Sequence, residues 1–237
     1  MQKVLHKSDT RGSANHGWLQ SKHTFSFANY FNPSRMGFGV LRVINDDIVS
    51  PAKGFGTHPH RDMEIISVPL KGSLYHKDTI GNEFVIRKGE IQVMSAGSGI
   101  SHSEFNHSKS EEVNFLQIWV EPKLKGIDPS YSQKDFPEED RKNQFQLIVS
   151  PQGEGAVKIH QDAYFSLANF EDSFSAVYKK NLKSNGVYIF VISGQLEVDG
   201  QNIDTRDGFG IREQDDIEIK ALNSSEFLVM EVPLSND

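Results

Sequence analysis

The chain has 237 residues, a formal net charge of −7 and no cysteine. Without cysteine, disulfide frameworks, thiolate catalysis and cysteine-type zinc sites are excluded, so any metal must be held by imidazole and carboxylate groups. The negative charge disfavours electrostatic binding of nucleic-acid phosphates, and no run of Lys and Arg suggests a basic patch. We therefore expect no direct nucleic-acid binding.

Membrane spans and common nucleotide motifs are also missing from the sequence. Apolar stretches such as Val187–Ile192 fall far short of the roughly 20 residues that cross a bilayer, and Met1–His6 lacks the apolar core of a secretory signal. We expect a cytoplasmic protein without membrane contact. There is no P-loop, no GxGxxG turn after a strand and no GxSxG elbow, which excludes the commonest nucleotide enzymes and α/β-hydrolases.

Short strands separated by turn signals run along the first half of the chain. Strands are predicted where β-branched and aromatic residues cluster: Phe38–Ile44, Glu64–Leu70, Phe84–Ile86, Ile91–Met94 and Asn114–Val120. Turns are predicted between them at Asn45–Asp47, Lys71–Ser73, Ile80–Asn82 and Arg87–Gly89. No stretch has a long apolar period of 3.6 residues with caps, so helices should be few and short. The pattern predicts an all-β barrel or sandwich.

The composition changes between Glu121 and Gln144, where prolines and a glycine fall among charged residues. This is typical of a connector that runs over the surface. Strands resume at Phe145–Val149. We place the boundary between two domains in the connector, with residues 1–130 in the first domain and 131–237 in the second.

The two halves resemble each other in the spacing of apolar strands and glycine turns. Val68–Tyr75 matches Phe190–Glu197, and Lys88–Ile91 matches Asp207–Gly210. Any two β-meanders can share such a spacing of turns, so similarity over so few residues is weak evidence of a repeat. Together with the connector, however, it favours two related β-barrels in tandem.

Two pairs of side chains carry metal chemistry. His58 and His60 are spaced i, i+2, and so are His102 and Glu104. In an extended strand, side chains at i and i+2 point to the same face, so each pair can reach one point. If the two segments are neighbouring strands, three imidazoles and one carboxylate converge on a single ion with coordination positions left open. All four residues are therefore predicted metal ligands.

A single His-x-His pattern is usually no more than two polar residues of a strand. Here, however, glycines precede both pairs: Gly54 and Gly56 the first, and Gly97 and Gly99 the second. Glycine lets a loop bend into a barrel, and Pro59 fits a strand end or edge because it lacks a ladder donor. Burying three imidazoles and a carboxylate without a metal would be costly. The paired arrangement thus favours a metal site.

The two segments resemble the paired motifs of the cupins. Residues 54–64 with Gly72 resemble the first motif, and residues 89–106 resemble the second. More specifically they are similar to the pirin family of two-domain cupins, supported by Gly17–Leu19, His23–Phe27 and Leu41–Asp47. The resemblance is strong over residues 11–120 and looser beyond. It implies an all-β chain of two cupin barrels (double-stranded β-helix or jelly-roll) in tandem.

The resemblance also distinguishes between two glutamates. Many cupins bind metal through the first-motif glutamate, here Glu64, whereas pirins use the one two residues after the second-motif histidine, here Glu104. Glu104 shares a strand face with His102, which agrees with this choice. Glu64 is left to orient an imidazole, if it faces inward. The second half contains only His160, so we expect its barrel to have lost the metal.

Bacterial pirins include proteins with quercetin 2,3-dioxygenase activity, so the resemblance implies a metal-dependent dioxygenase that cleaves a flavonol such as quercetin with O₂ and releases carbon monoxide. Three imidazoles and a carboxylate suit Fe(II), with Mn, Co, Ni, Cu or Zn as alternatives. Glu104 is the expected catalytic base, because a metal lowers the pKa of a flavonol hydroxyl. The alternative is a non-catalytic, metal-dependent sensor or regulatory interaction protein of the pirin type, whose protein partner is unknown.

Other aromatic and histidine residues have weaker signals. Five phenylalanines could stack on a flat substrate, although each is more typical of a barrel core: Phe25, Phe27, Phe55, Phe105 and Phe115. His76 and His107 lie near turn signals, and we expect both to be solvated. The sequence suggests no role for His16 or His23.

Overall fold

The computed structural model describes residues 3–235. These residues form 22 β-strands and two short 3₁₀ helices, Ser8–Thr10 and Glu138–Arg141. Within the same range, no helix is both long enough and apolar enough to traverse a bilayer.

The strands follow one another at short intervals. Those of the first half are β1 (Lys3–His6), β2 (Gly12–Asn15), β3 (Leu19–His23), β4 (Leu41–Val49), β5 (Gly54–His60), β6 (Glu64–Lys71), β7 (Ser73–Asp78), β8 (Glu83–Arg87), β9 (Glu90–Ser95), β10 (Ile100–Asn106), β11 (Val113–Val120) and β12 (Ser130–Asp135). Those of the second half are β13 (Gln146–Ser150), β14 (Val157–Lys158), β15 (Tyr164–Phe170), β16 (Ser175–Lys179), β17 (Asn185–Ser193), β18 (Gln195–Val198), β19 (Gln201–Asp204), β20 (Gly208–Ile211), β21 (Asp216–Ala221) and β22 (Ser225–Pro233).

Each half is a sandwich of a seven-stranded and a four-stranded sheet. In the first half the order β12-β9-β6-β11-β4-β3-β2 packs over β5-β10-β7-β8. In the second, β1-β20-β17-β22-β15-β13-β14 packs over β16-β21-β18-β19. The strand pairs are antiparallel except for β13 and β14. This confirms the predicted all-β class, two jelly-roll barrels in tandem with few short helices, although the two sheets of each sandwich remain separate.

Two strands, β1 and β12, have pairings that the sequence did not predict. β1 pairs with β20 of the second half, with Lys3 opposite Ile211. β12 lies within the predicted connector and pairs with β9, which adds an edge strand to the first half. The following 3₁₀ helix buries Arg141. The connector is therefore part of the folded structure, and the division at residue 130 stays a prediction.

The two halves pack through their seven-stranded sheets. The largest apolar cluster combines residues of both: Ile66, Val68, Leu116 and Ile118 from the first half, and Phe165, Leu167, Phe190, Leu228 and Met230 from the second. The central strands are thus buried on both faces, which explains why β6 and β11 read as nearly continuous apolar runs. The outer face of each large sheet becomes an internal surface of the molecule.

The turn predicted at Asn45–Asp47 is wrong, because all three residues are buried within β4. Asn45 and Asp47 are on the same strand face as Val49, which packs inside the sandwich, and Asp46 is on the opposite face. Oδ1 of Asn45 accepts a hydrogen bond from Nδ1 of His23, and Asp46 forms ion pairs with Arg11 and Arg206. Asn and Asp favour turns when their side chains form hydrogen bonds to the local backbone. Here the side chains of Asn45 and Asp46 bind residues that are distant in the sequence, so the strand continues. The other three predicted turns are present, each with a glycine at positive φ: Gly72, Gly81 and Gly89.

The interior of the first sandwich is only partly apolar. One small cluster includes Leu74 and Phe115, and another includes Ile65 and Met94. The same sandwich also buries many polar or charged side chains, among them Ser67, His76, Gln92, His102, Glu104 and Gln117. By contrast, the second sandwich encloses one continuous apolar cluster. Buried polar groups require partners, so their concentration in the first half marks the candidate site.

Candidate metal centre

The predicted ligand pairs lie on neighbouring antiparallel strands. β10 pairs with β5, and His102 lies directly opposite His58. Farther along, Glu104 lies opposite Phe55, so β5 contains one extra residue between these two pairs. Such a bulge locally bends the strand and re-aims its side chains. β5 is also the edge strand of its sheet, as the position of Pro59 predicted.

The three predicted histidines come together. Their ring centroids are 4.5 Å apart between His58 and His102, 4.9 Å between His58 and His60, and 5.0 Å between His60 and His102. One nitrogen of each ring lies within 4.8 Å of the others. Metal–nitrogen bonds are about 2.1 Å long, so nitrogens sharing an ion lie at most about 4.2 Å apart. Small rotations of the rings would bring all three into coordination.

The hydrogen bonds of these rings leave nitrogens available for a metal. Nδ1 of His58 lies 2.8 Å from the carbonyl oxygen of Gly56, to which it donates, so its Nε2 carries the lone pair. Nε2 of His102 is buried and has no hydrogen-bond partner among the described residues. A buried nitrogen without a partner is costly, and a bound ion would supply the partner. The donor set therefore fits a divalent metal.

The imidazoles of His60 and His102 are held in the neutral form that metal ligands require. Burial, followed by the charge of neighbouring imidazoles, lowers the pKa of His60 to about 4. The same causes lower the pKa of His102 to about 3. Both rings are therefore unprotonated at neutral pH, and a metal does not have to displace a proton from them.

Glu104 is fully buried beside the histidines. Nε2 of Gln117 donates to one carboxylate oxygen at 2.8 Å, and Oγ of Ser67 donates to the other at 3.3 Å. Burial raises the pKa of Glu104 above its ordinary value. An oxygen of Glu104 lies within 4.8 Å of nitrogens of His76 and His102, in a second cluster that shares His102 with the first. The complete four-ligand set stays a prediction.

His76 is buried, so its predicted solvation is wrong. Its Nε2 lies 3.1 Å from Oδ2 of Asp78, and its Nδ1 lies 3.4 Å from Nδ1 of His102. Although burial opposes ionisation, hydrogen bonds from Asn82 and His76 outweigh it and lower the pKa of Asp78. An ionised Asp78 accepts a hydrogen bond from Nε2–H of His76, which leaves Nδ1 of His76 as an acceptor. That nitrogen accepts a hydrogen bond from Nδ1–H of His102, so Nε2 of His102 carries a lone pair. The missed signal is a third i, i+2 pair, His76 and Asp78.

Glu64 does not contact the predicted ligands. It lies on the face of β6 that includes Ile66, which packs between the two halves, whereas Ser67 faces Glu104. Oγ of Ser95 donates to Glu64 at 2.6 Å, and His160 of the second half lies close to it. The irregular loop between β5 and β6 breaks the even spacing from His60 that would have turned Glu64 inward. Its proposed role in orienting an imidazole is therefore not supported.

A cavity of about 310 Å³ opens over His58, His60 and Glu104. Its other walls combine flat apolar groups with polar ones: Ala14, His16, Leu19, Ser21, His23, Phe27, Ala28, Asn45, Asp47, Phe55, Gln117 and Trp119. Enclosed apolar walls with a few polar groups are typical of small-molecule sites. The size and position of the cavity make room for a ligand next to the histidines.

The aromatic walls were only partly predicted. Phe25 and Phe115 are buried in apolar clusters, as expected for core residues. Phe27 and Phe55 line the cavity instead. Trp119 was missed; its indole packs edge-on against Phe27 and against the ring of His60, with centroids 5.5 and 5.0 Å apart. Nothing in the sequence near Trp119 marks it, because β11 reads as an ordinary buried strand.

A larger groove of about 460 Å³ lies elsewhere, between the second 3₁₀ helix and the second half. Carboxylates such as Glu138 and Glu226 line it, and its Lys142 already pairs with Glu171 at 2.7 Å. The groove contains no imidazole. The candidate site is therefore the smaller cavity, which the predicted histidines line.

Comparison with known families identifies the chain. Residues 4–120 match the family model described as Pirin, and residues 147–232 match the model described as Quercetinase C-terminal cupin domain. The chain is 43% identical over 233 residues to a quercetin 2,3-dioxygenase of Escherichia coli (strain K12), covering 97% of this chain and 98% of the relative. This protein belongs to the pirin family. Its two jelly-rolls are thus the two cupin domains that the resemblance implied.

Other relatives of this pirin agree with the metal centre. A pirin-like protein of Caulobacter vibrioides is 40% identical, covering 94% of this chain and 96% of the relative. The crystal structure of bacterial pirin YhhW from Escherichia coli in complex with nickel(II) is 42% identical, with a TM-score of 0.92 over 98% of this chain and 99% of that one. Together with the histidine cluster, this supports a divalent metal in the pirin described here.

Proposed function

We propose that this pirin is a metal-dependent dioxygenase that cleaves a flavonol such as quercetin with O₂ and releases carbon monoxide. The observation that carries the proposal is the cluster of three imidazoles that opens into an aromatic-lined cavity. The name quercetin 2,3-dioxygenase of the Escherichia coli relative supports it. A ring-cleaving enzyme needs both a metal with open positions and enclosed space for a flat substrate.

The proposed ligands are His58, His60, His102 and Glu104. Fe(II) suits this set, with Mn, Co, Ni, Cu or Zn as alternatives. When bound, the ion supplies the Lewis acidity that lowers the pKa of a flavonol hydroxyl and promotes reaction of the electron-rich ring with O₂. Both atoms of O₂ enter the product, the heterocycle opens and one carbon leaves as carbon monoxide.

Glu104 is the proposed catalytic base. Gln117 and Ser67 hold its carboxylate at the cavity, and burial raises its pKa, which makes it a better proton acceptor than an exposed glutamate. The flavonol hydroxyl donates its proton to this carboxylate. The rings of Phe27, Phe55 and Trp119 provide flat walls that orient the substrate and exclude water from the resulting anion.

The proposal is tested by incubating metal-loaded protein with quercetin in air while measuring the loss of flavonol absorbance and the release of carbon monoxide. We expect turnover with at least one of Fe, Mn, Co, Ni and Cu. Absence of turnover with all five would overturn the enzyme proposal and favour the non-catalytic regulatory alternative, for which metal-dependent binding of a protein partner would be the function.

The ligand assignment is tested with His58→Ala. This variant should lose tightly bound metal and all turnover but keep its β-sheet circular dichroism spectrum, because His58 is only partly buried. His107→Ala, in an exposed position directly after β10, is the matched control and should behave like the parent protein. A full equivalent of tightly bound metal in His58→Ala, measured by elemental analysis, would contradict the assignment.

A further inference from the structure

One wall of the cavity carries polar groups that the proposed chemistry does not use. Ser21 and His23 come from β3, and Asn45 and Asp47 come from β4. These strands belong to the seven-stranded sheet, whereas the predicted metal ligands belong to the four-stranded sheet that packs over it. Packed sheets lie about 10 Å apart, so the polar wall faces the metal centre across the cavity.

The carboxylate of Asp47 is incompletely bonded. The residue is 4% exposed, and its Oδ1 has no hydrogen-bond partner among the described residues. Among residues 3–235, the hydroxyl of Ser21 is the side chain that provides a hydrogen bond to it. Buried carboxylate oxygens ordinarily have partners, and an unpaired one costs more than an unpaired neutral group. An atom of this kind in the wall of a ligand cavity points to a donor supplied by the ligand.

His23 adds a second acceptor to the same wall. Its Nδ1 lies 2.8 Å from Oδ1 of Asn45, an oxygen that can only accept, so Nδ1 carries the hydrogen. Burial lowers the pKa of His23, which keeps the ring neutral and leaves a lone pair on Nε2. The ring is held in place against Phe27, at 5.3 Å between centroids. The wall thus presents two acceptors beside an aromatic surface.

We propose that Asp47 and His23 form a subsite that accepts hydrogen bonds from ring hydroxyls of a polyhydroxylated aromatic substrate, on the side of the cavity opposite the metal. The inference rests on the proposed function for the metal end of the cavity. The hydroxyl that reacts lies at the metal, and a second hydroxylated ring reaches the subsite. The part of the substrate between the metal and the subsite must be flat, because it lies along the rings of Phe27, Phe55 and Trp119.

The charge on Asp47 agrees with this assignment. Burial above all, together with the nearby carboxyl groups of Asp46 and Glu104, raises its pKa to about 7, although the Ser21 hydrogen bond acts in the opposite direction. A phenolic donor would stabilise the ionised form and would replace the missing partner. Sites built around a buried acceptor discriminate strongly against analogues that lack the matching hydroxyl.

The test is equilibrium binding under nitrogen, which separates recognition from turnover. Quercetin and 3-hydroxyflavone, which retains the metal-facing hydroxyl but lacks the other ring hydroxyls, are titrated into metal-loaded protein at pH 8. We expect quercetin to bind at least about tenfold more tightly. Asp47→Asn should reduce this preference severalfold, and Asp47→Leu, which has no acceptor and a similar volume, should abolish it. The affinity for 3-hydroxyflavone should remain within about twofold of the parent.

Asp172→Asn, at an exposed position in the second half, is the control and should keep the full preference. An unchanged preference in both Asp47 variants, with parental circular dichroism spectra, would overturn the subsite while leaving the enzyme proposal intact. Conversely, a parent protein that shows the preference but never consumes quercetin in air would refute the enzyme proposal and retain the subsite.

Discussion

A chain of three side chains determines which nitrogen of His102 carries a lone pair at the metal centre. Asp78 accepts from His76, and His76 in turn accepts from His102. Asp78 is itself fixed by the backbone amides of Ile80 and Asn82, so the chain begins at a rigid turn. Partners that orient a ligating imidazole typically contribute 10- to 100-fold to metal affinity. His76 is therefore a positioning residue for the ligand His102.

His76→Phe should weaken metal binding about 10- to 100-fold, because the ring volume is kept while the acceptor for His102 is lost. Competition with a chelator of known affinity measures this change. Asp78→Asn should act in the same direction, and the exposed His107→Phe should have no effect. Parental metal affinity in a folded His76→Phe variant would exclude the orienting role.

The pairing of β5 with β10 is the element that assembles the ligands. Gly54 packs directly against β10, since an added Cβ would lie 2.2 Å from the carbonyl oxygen of Glu104 and 2.5 Å from Cα of Phe105. Both neighbours are backbone atoms, so they cannot rotate away. Gly56, two residues on and within the bulge, would place a Cβ in open space. Packing therefore requires glycine at Gly54 but not at Gly56.

Gly54→Ala should push β5 away from β10 and separate His58 from His102. We expect a loss of about 1–3 kcal/mol in the free energy of unfolding and at least a tenfold loss of metal affinity. Chemical denaturation and metal titration measure the two effects. Gly56→Ala is the matched control, with both quantities near parental values; equal effects of the two substitutions would contradict the packing argument.

At the scale of the whole molecule, the two halves share a core, so we expect them to fold and unfold as one unit. Their seven-stranded sheets share the largest apolar cluster, and β1 crosses from the start of the chain into the second half. Asp46 connects the same halves through an ion pair with Arg206 of the second half at 3.3 Å. Separating the halves would expose this apolar surface, which is strongly unfavourable.

Phe165→Ala removes a fully buried ring of the second half from the shared cluster. It should lower the free energy of unfolding by about 3–5 kcal/mol. Because the halves unfold together, metal release from the first half should shift to lower denaturant concentration by the same amount as the loss of β-sheet signal. Metal release at an unchanged denaturant concentration would show that the first half unfolds independently.

Local periodicity explains what could be predicted from the sequence. Side chains two residues apart share a strand face whatever the fold, so His58, His60 and His102 could be recognised as potential ligands in advance. The same rule would have identified His76 with Asp78, had the pair not been attributed to a neighbouring turn. Alternating apolar runs and glycine turns likewise predicted an all-β chain with two related halves.

The sequence by itself determined the all-β class, the two related halves and the histidine pairs, because these depend on the pattern of near neighbours in the chain. The tandem jelly-rolls were implied by its resemblance to the cupins. Only the tertiary structure decided that Asp47 and Trp119 line the cavity and that Glu64 faces the other half. Those placements depend on sheet packing and strand order between distant segments, and on the loops that set which face a strand presents. Side-chain spacing within one strand contains no information about either.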